Sequence, residues 1–185
     1  LAPAAKKGLI DGSVIIDSKS GVTGAGIKAK EVNQFSNVND NFKAYGIKTH
    51  RHSIEIEQNL NSLSGENLSI QFTPHLLPVD RGILTTAYFK TKSQVSQPEM
   101  EVLYADFYSK MPFIRLRNNP PAIKDVRGTN YCDVFVTYDD RTKNVIVISV
   151  IDNLVKGAAG QAVQNMNVKM GWDEKLGLNQ VPQNP

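Results

Sequence analysis

Apolar and polar positions along this chain fall in short blocks whose period changes often. Residues 13–17 (SVIID) form an apolar run bounded by glycine and serine, which predicts a buried strand leading into the glycine-rich residues 20–26 (SGVTGAG). From residue 30 to 43 phenylalanine and valine are scattered without a period, so a long loop is predicted, and long loops in compact domains are often functional. Ile56, Leu60 and Leu63 then recur on one helical face, with Ser53 as the expected N-cap and Glu55 and Glu57 at the positive end of the helix dipole. Residues 68–76 and 82–91 alternate as strands do, around a connection stiffened by Pro74 and Pro78. A second helix is predicted over 98–111, with Met100, Leu103, Tyr104, Phe107 and Met111 on one face. Residues 113–117, 131–138 and 144–151 read as strands, the last two joined by the polar turn at 139–143, a hairpin and hence an antiparallel pair. A closing helix is predicted over 157–170, stopped by Gly171 and followed by a proline-bearing tail.

Strands and helices are mixed without a repeating βαβ unit. The expected fold is therefore α+β, with one largely antiparallel mixed sheet covered by helices. A chain of 185 residues, 41% hydrophobic and 21% charged, has the composition of one globular domain with a substantial core. The net charge of +3 is spread without a basic run, which argues against a nucleic-acid partner. No apolar run reaches spanning length and no basic leader precedes an apolar core, so the reading is a cytoplasmic protein with no membrane partner. Cys132 is the single cysteine, which excludes an internal disulfide; its place in a predicted strand points to a structural thiol rather than a nucleophile. Residues 1–7 resemble the last turns of a helix ending near Gly8, so polypeptide is expected upstream. The expected division is 1–12 as the end of that helix, 13–151 as the α+β domain and 152–185 as a terminal helix and tail.

The densest chemistry is His50-Arg51-His52, which holds two of the three histidines. On extended backbone both imidazoles would point the same way, with an arginine fork between them for a carboxylate or phosphate, a cluster suited to acid-base work beside an anion. The competing reading is a basic turn that caps a helix. Residues 20–26 could let a phosphate or cofactor ring approach bare backbone, although their spacing is not G-x-G-x-x-G, and such a run taken alone is more often a tight turn. Residues 152–161 (DNLVKGAAGQ) end a strand and open a helix whose first amides could receive an anion or carboxamide; close helix packing through Gly157, Ala158, Ala159 and Gly160 is the alternative. Arg81 and Arg127 lie in glycine-bordered turns, where either a carboxylate clamp or a plain surface role is open. His75, beside Pro74, is expected to be packed and hydrogen-bonded, and no spacing suggests a metal.

Taken in order, SGVTGAG (20–26), HRHSIEIEQ (50–58), FTPHLLPVDRGIL (72–84), PFIR (112–115), VRGTNYC (126–132) and IDNLVKGAAGQAVQNMN (151–167) closely resemble the C-terminal part of the N-acetyl-gamma-glutamyl-phosphate reductases. The resemblance implies a domain like the C-terminal domain of glyceraldehyde-3-phosphate dehydrogenase, one half of an NADP-dependent acyl-phosphate reductase of arginine biosynthesis that acts as a homo-oligomer, a dimer or tetramer. In that family a cysteine in a Gly-Cys-Tyr-Pro motif, absent from this chain, forms a thioester with loss of phosphate, and NADPH reduces it to a semialdehyde. The acid-base group would be His52, nearer the helix start, or His50, with Arg51 and Arg81 as candidates for the substrate's carboxylate or phosphate. Ser20, Gly21, Gly24, Ala25 and Gly26 would line NADP together with Asn153, Lys156, Gly157 and Gln161, and the last helix would pack back on a Rossmann domain. Ile27 departs from the arginine common after Gly-Ala-Gly, and Lys28 could replace its charge but not its bidentate fork. Reductases of the one-carbon-longer aminoadipyl phosphate share much of this pattern, and a non-catalytic oligomerisation or substrate-binding module is the alternative from another class.

Overall fold

The structure is a computed structural model that describes residues 1–28 and 30–183. Its strands are β1 (Ile10–Gly21), β2 (Lys43–Ala44), β3 (Ser69–Leu77), β4 (Ile83–Thr91), β5 (Ile114–Leu116), β6 (Cys132–Asp139) and β7 (Asn144–Ile151). Its helices are α1 (Ala2–Lys6), α2 (Phe35–Val38), α3 (His52–Ser64), α4 (Gln97–Tyr108) and α5 (Gly160–Met170). The strands form one sheet in the order β2-β3-β1-β4-β7-β6-β5. β1/β3 and β5/β6 are parallel and the other neighbours antiparallel, which makes the fold the expected α+β, largely antiparallel mixed sheet.

Strand alternation sorts the two faces. Val14 and Ile16, Ala87 and Phe89, Val145 and Val147, and Val134 and Val136 share one face by register and are buried with Ala4 and Ala5 of α1, Leu60 of α3 and Met100 and Tyr104 of α4. At roughly 1.5–3 kcal/mol for each fully buried large apolar side chain, this layer dominates the stabilisation. The second face carries Ile15, Leu84, Tyr88, Phe135, Ile146 and Ile148, all exposed or half-buried.

Several expected boundaries move, each for a local reason. β1 begins at Ile10, because Gly12 takes φ +67° and a bulge lets the strand continue upstream of the SVIID run. The expected loop at 30–43 contains a turn of 3-10 helix, Glu31–Asn33, the short α2 and the start of β2. Asn37 Nδ2 donates to the Glu31 carbonyl at 2.7 Å and Asn41 Nδ2 to the Asn37 carbonyl at 2.9 Å, so asparagine side chains close turns that hydrophobic periodicity does not announce. Ser53 is not the N-cap of α3: the helix starts at His52, and the Ser53 amide donates to the His50 carbonyl at 3.0 Å. Ile56 and Leu60 reach the core, while Leu63 stays exposed.

α4 opens on a capping box, Ser96 with Glu99, and ends at Tyr108, which leaves Met111 outside it and exposed. α5 starts at Gly160 rather than 157 because Val155–Ala159 winds as a π turn. The tail folds back on the chain: Leu178 is buried and the Gln183 amide donates to the Arg127 carbonyl at 2.9 Å. Of the tail expected over 152–185, positions 184 and 185 lie outside the described residues.

Candidate functional site

The histidine pair sits where the chain turns into α3. Arg51 has helical backbone (φ −57°, ψ −32°), so the extended geometry that would align two imidazoles does not occur, yet the turn brings the rings of His50 and His52 edge to face with centroids 4.9 Å apart. His50 is wedged between Tyr45, at the end of β2 (5.6 Å), and Phe72 of β3 (5.3 Å). The pair therefore lies on the helix-covered side of the sheet's edge. The His52 backbone N–H donates to His50 Nδ1 at 3.3 Å. Burial, then the His52 and Arg51 charges, lower the pKa of His50 below the usual imidazole value. His52 is exposed, and Arg51 is exposed and makes no ion pair among the described residues. The third histidine, His75, stacks on Phe42 (5.2 Å) on the opposite face, with Nδ1 2.9 Å from Asp17 Oδ1 but not aligned as a hydrogen bond.

A second grouping lies past the ends of β1, β3 and β7. Gly21 presses on the β3–β4 turn so closely that a Cβ there would stand 2.9 Å from the Val79 carbonyl oxygen, and the Gly21 and Val22 amides donate to the carbonyls of Gly82 (2.8 Å) and Val79 (2.9 Å). Residues 22–25 follow as a 3-10 turn, so this loop is a tight turn whatever else it does. Asn153 ties it in: its Nδ2 donates to Thr23 Oγ1 at 2.9 Å, and its Oδ1 accepts from the Gly82 amide at 2.7 Å. Asp152, fully buried, accepts from Arg81 (3.0 Å), from the Gly128 amide (2.7 Å) and from the amides of Leu154 (2.8 Å) and Val155 (3.1 Å). Burial alone would raise its pKa, but these donors outweigh burial and hold the carboxyl below its usual value.

The expectation of unpaired amides at the start of the last helix is thus corrected, because the Asp152 carboxylate already satisfies the leading ones. The packing alternative is corrected too: Gly160 is buried, and a Cβ there would strike Asn130 Oδ1, but Gly157, Ala158 and Ala159 are exposed. Lys156 donates to Gln164 Oε1 (2.6 Å) and lies over the Phe113 ring (5.6 Å); Gln164 also accepts from buried Asn130 (2.8 Å). Gln161 lies one turn along, bonded to Asn165. Arg127 pairs with Asp80 at 2.7 Å. The structure thus joins Ser20, Gly21, Gly24, Ala25, Gly26, Arg81, Asn153 and the 156–161 segment at one end of the sheet, and no described hydrogen bond or ion pair links them to the histidines.

Sequence reasoning missed Asp152 as the hub. An aspartate followed by asparagine directly after an apolar strand and ahead of a helix is a capping signal that was available. It also missed Asp133, fully buried, which accepts a two-pronged pair from Arg115 (2.6 and 2.9 Å). Cys132 packs against the core, and burial first, with Asp133 adding to it, pushes its thiol up to about 11, which leaves it protonated and a poor nucleophile. Among the described residues no three His, Cys, Asp or Glu groups could hold a metal ion, and no helix is long and apolar enough to cross a membrane.

Comparison with known proteins gives this geometry a family. The model of the semialdehyde dehydrogenase dimerisation domain matches residues 1–153. The chain belongs to that family. It is 54% identical to an N-acetyl-gamma-glutamyl-phosphate reductase of Geobacter metallireducens over 98% of this chain and 54% of the relative, and 51% identical to one of Geobacillus stearothermophilus over 98% and 54%. The chain thus spans about half the length of the curated relatives it matches. Among solved structures, aspartate semialdehyde dehydrogenase II of Vibrio cholerae superposes with a TM-score of 0.68 at 17% identity, over 91% of this chain and 59% of that one. A probable aspartate-semialdehyde dehydrogenase of Pseudomonas aeruginosa gives 0.67 at 16%, over 91% and 61%. At such identities these two speak for the fold alone.

Proposed function

We propose that this chain is the C-terminal half of a cytoplasmic N-acetyl-gamma-glutamyl-phosphate reductase of arginine biosynthesis, which converts the acyl phosphate to N-acetylglutamate semialdehyde and phosphate through a cysteine thioester formed on preceding polypeptide. The 54% identity over nearly the whole chain to a relative of that name carries the reading. Two juxtaposed imidazoles with an exposed arginine between them are what such chemistry asks of this half. His52 accepts the thiol proton as sulfur attacks the acyl carbon and phosphate leaves; later it protonates the oxygen of the tetrahedral adduct and takes that proton back as the carbonyl re-forms, the carbon–sulfur bond breaks and the semialdehyde departs. Arg51, which makes no ion pair among the described residues, is better placed to receive the substrate's negative charge than Arg81, which Asp152 already engages.

When bound, NADPH supplies the hydride. The residues present fit part of such a ligand. Gly24, Ala25 and Gly26 on one side and Gly157, Ala158 and Ala159 on the other are exposed and nearly bare of side chains, a surface on which a flat ring can lie. Both ends of the Asn153 amide are taken and the Asp152-capped amides are spent, so the segment from Asn153 to Gln161 lends shape more than phosphate contacts, with the Lys156 ammonium as its one charged donor. α5 would then turn Met166 and Met170, both exposed and four residues apart on one helical face, toward a preceding Rossmann domain. A second copy of the chain would cover the second face of the sheet, in keeping with the dimerisation domain whose match includes every strand. Ile15→Lys, at a residue 47% exposed on that face, should shift sedimentation toward monomer without unfolding the chain.

The deciding experiment replaces His52 or His50 by asparagine in the longer parent protein and follows NADPH oxidation with glutamyl and aminoadipyl acyl phosphates. Loss of about 10²–10⁴ in kcat for one of them is expected from a missing acid-base group. If neither replacement slows the chemical step, the assignment of the pair is wrong, and a non-catalytic module becomes the better description.

A further inference from the structure

We infer that His50 is a positioning residue, an imidazole that caps α3 through Nδ1 and holds the ring of His52, so that proton handling falls to His52 alone. This rests on the proposed acyl-phosphate chemistry for the pair but not on the identity of the acyl group.

A ring nitrogen that accepts a hydrogen bond carries no proton, so the 3.3 Å contact from the His52 backbone N–H places the neutral His50 proton on Nε2. The amide it satisfies is among the first of α3, which no carbonyl inside the helix can reach. Arg51, which occupies the N-cap position, offers no side-chain acceptor to that turn. Protonation of His50 at Nδ1 would therefore release the amide. It would also set a second positive charge beside Arg51 and His52, at the positive end of a helix of 13 residues. The charged and titratable groups around His50 are Arg51 and His52 in the turn and Tyr45 after β2, and the first turn of α3 also carries Glu55; Phe72 of β3 brings no charge, and among the described residues no carboxylate forms an ion pair with His50. The ring has little freedom. Tyr45 and Phe72 meet it from two sides, and Gly46, at φ +57°, lies so close that a Cβ there would be 3.4 Å from His50 Cδ2. His52, exposed and touching that fixed ring edge to face, keeps both of its nitrogens outside the cap. One histidine is held in a single tautomer while the ring of its neighbour lies exposed outside the cap.

Long-range nitrogen–proton correlation spectra of the 185-residue chain test this directly. At neutral pH His50 should show an unprotonated Nδ1 and a protonated Nε2. Hydrogen exchange of the His52 amide should quicken about fivefold in His50→Phe, which has no acceptor, and should keep most of its protection in His50→Asn, whose carboxamide oxygen can cap. In the longer parent protein, His50→Asn should retain the imidazole limb of the pH-rate profile, whereas His52→Asn should erase it. A protonated Nδ1 on His50, or a pH profile lost in His50→Asn and kept in His52→Asn, would overturn the assignment. Full activity in both asparagine variants would refute the acid-base reading of the pair while leaving the cap, read from the spectra, in place.

Discussion

The two ends of this domain reach their geometry in opposite ways. The histidine end comes from one continuous stretch, residues 50–52, whose rings meet because a single helical turn folds them together. The other end is assembled from four separated segments, Gly21–Thr23, Asp80–Gly82, Gly128 and the run after β7, fastened by the side chains of Asp152 and Asn153. The first sets exposed Arg51 and His52 beside a half-buried His50 that ring contacts hold in place, so any adjustment there falls to the two exposed side chains. The second is clasped around the buried side chains of Asp152 and Asn153, and its worth lies in holding exposed glycine and alanine backbone in fixed relation. One end is a pair of side chains from a single turn; the other is a surface braced from four parts of the chain.

The contrast breaks most decisively at Asp152. Asp152→Ala should cost about 3–5 kcal/mol, because it strands the Arg81 guanidinium and orphans the amides of Gly128, Leu154 and Val155 together. Denaturant unfolding measures it, and a cost under about 1 kcal/mol would mean the clasp is ornamental. The same carboxylate fixes a pH dependence. Its folded pKa lies below the ordinary value, so its contribution is present above the unfolded carboxylate pKa and is lost as pH falls through the depressed folded value. Stability followed into that acid range should fall in the native chain and fall less steeply in Asp152→Asn. Asn153→Ala is expected to cost less, about 1–3 kcal/mol, since it leaves the buried Gly82 amide unpaired but strands no charge, and the Thr23 hydroxyl keeps its bond to the Asp80 carbonyl. Exchange at the Gly82 amide should quicken with it.

How much of this was legible beforehand follows from the same division. Strand and helix positions follow from local periodicity, and the hairpin at 139–143 and the stripe at Met100 and Tyr104 stand as expected. The histidine pair was visible for the same reason: its parts are adjacent in sequence. Asp152 was legible as a cap for the residues 2 and 3 positions on but not as a hub, since its other partners lie 71 and 24 positions away and only the closed sheet brings them within reach. The π turn at Val155–Ala159 was hidden likewise, because it places two short carboxylate-bonded amides ahead of a helix that composition alone would begin earlier. Sequence patterns show what a residue is next to along the chain. Burial of polar hubs depends on what the fold places beside them.

The smallest expected effect sharpens the histidine end. By residue type Ser53 is the better capping residue, and if it capped α3 its replacement by alanine would cost about 0.5–2 kcal/mol. In the structure its amide is already bonded to the His50 carbonyl at 3.0 Å, its hydroxyl caps nothing, and His50 Nδ1 does the capping instead. Ser53→Ala should therefore change stability by less than about 0.5 kcal/mol, as expected of a substitution that breaks no cap or buried contact. His50→Phe should cost more despite the better hydrophobicity of phenylalanine, and His50→Asn should sit near the native value. Equilibrium unfolding of these three variants orders them; if Ser53→Ala ranks as the most damaging, the turn is capped by serine, the histidine ring is released, and His50 regains an equal claim to the proton.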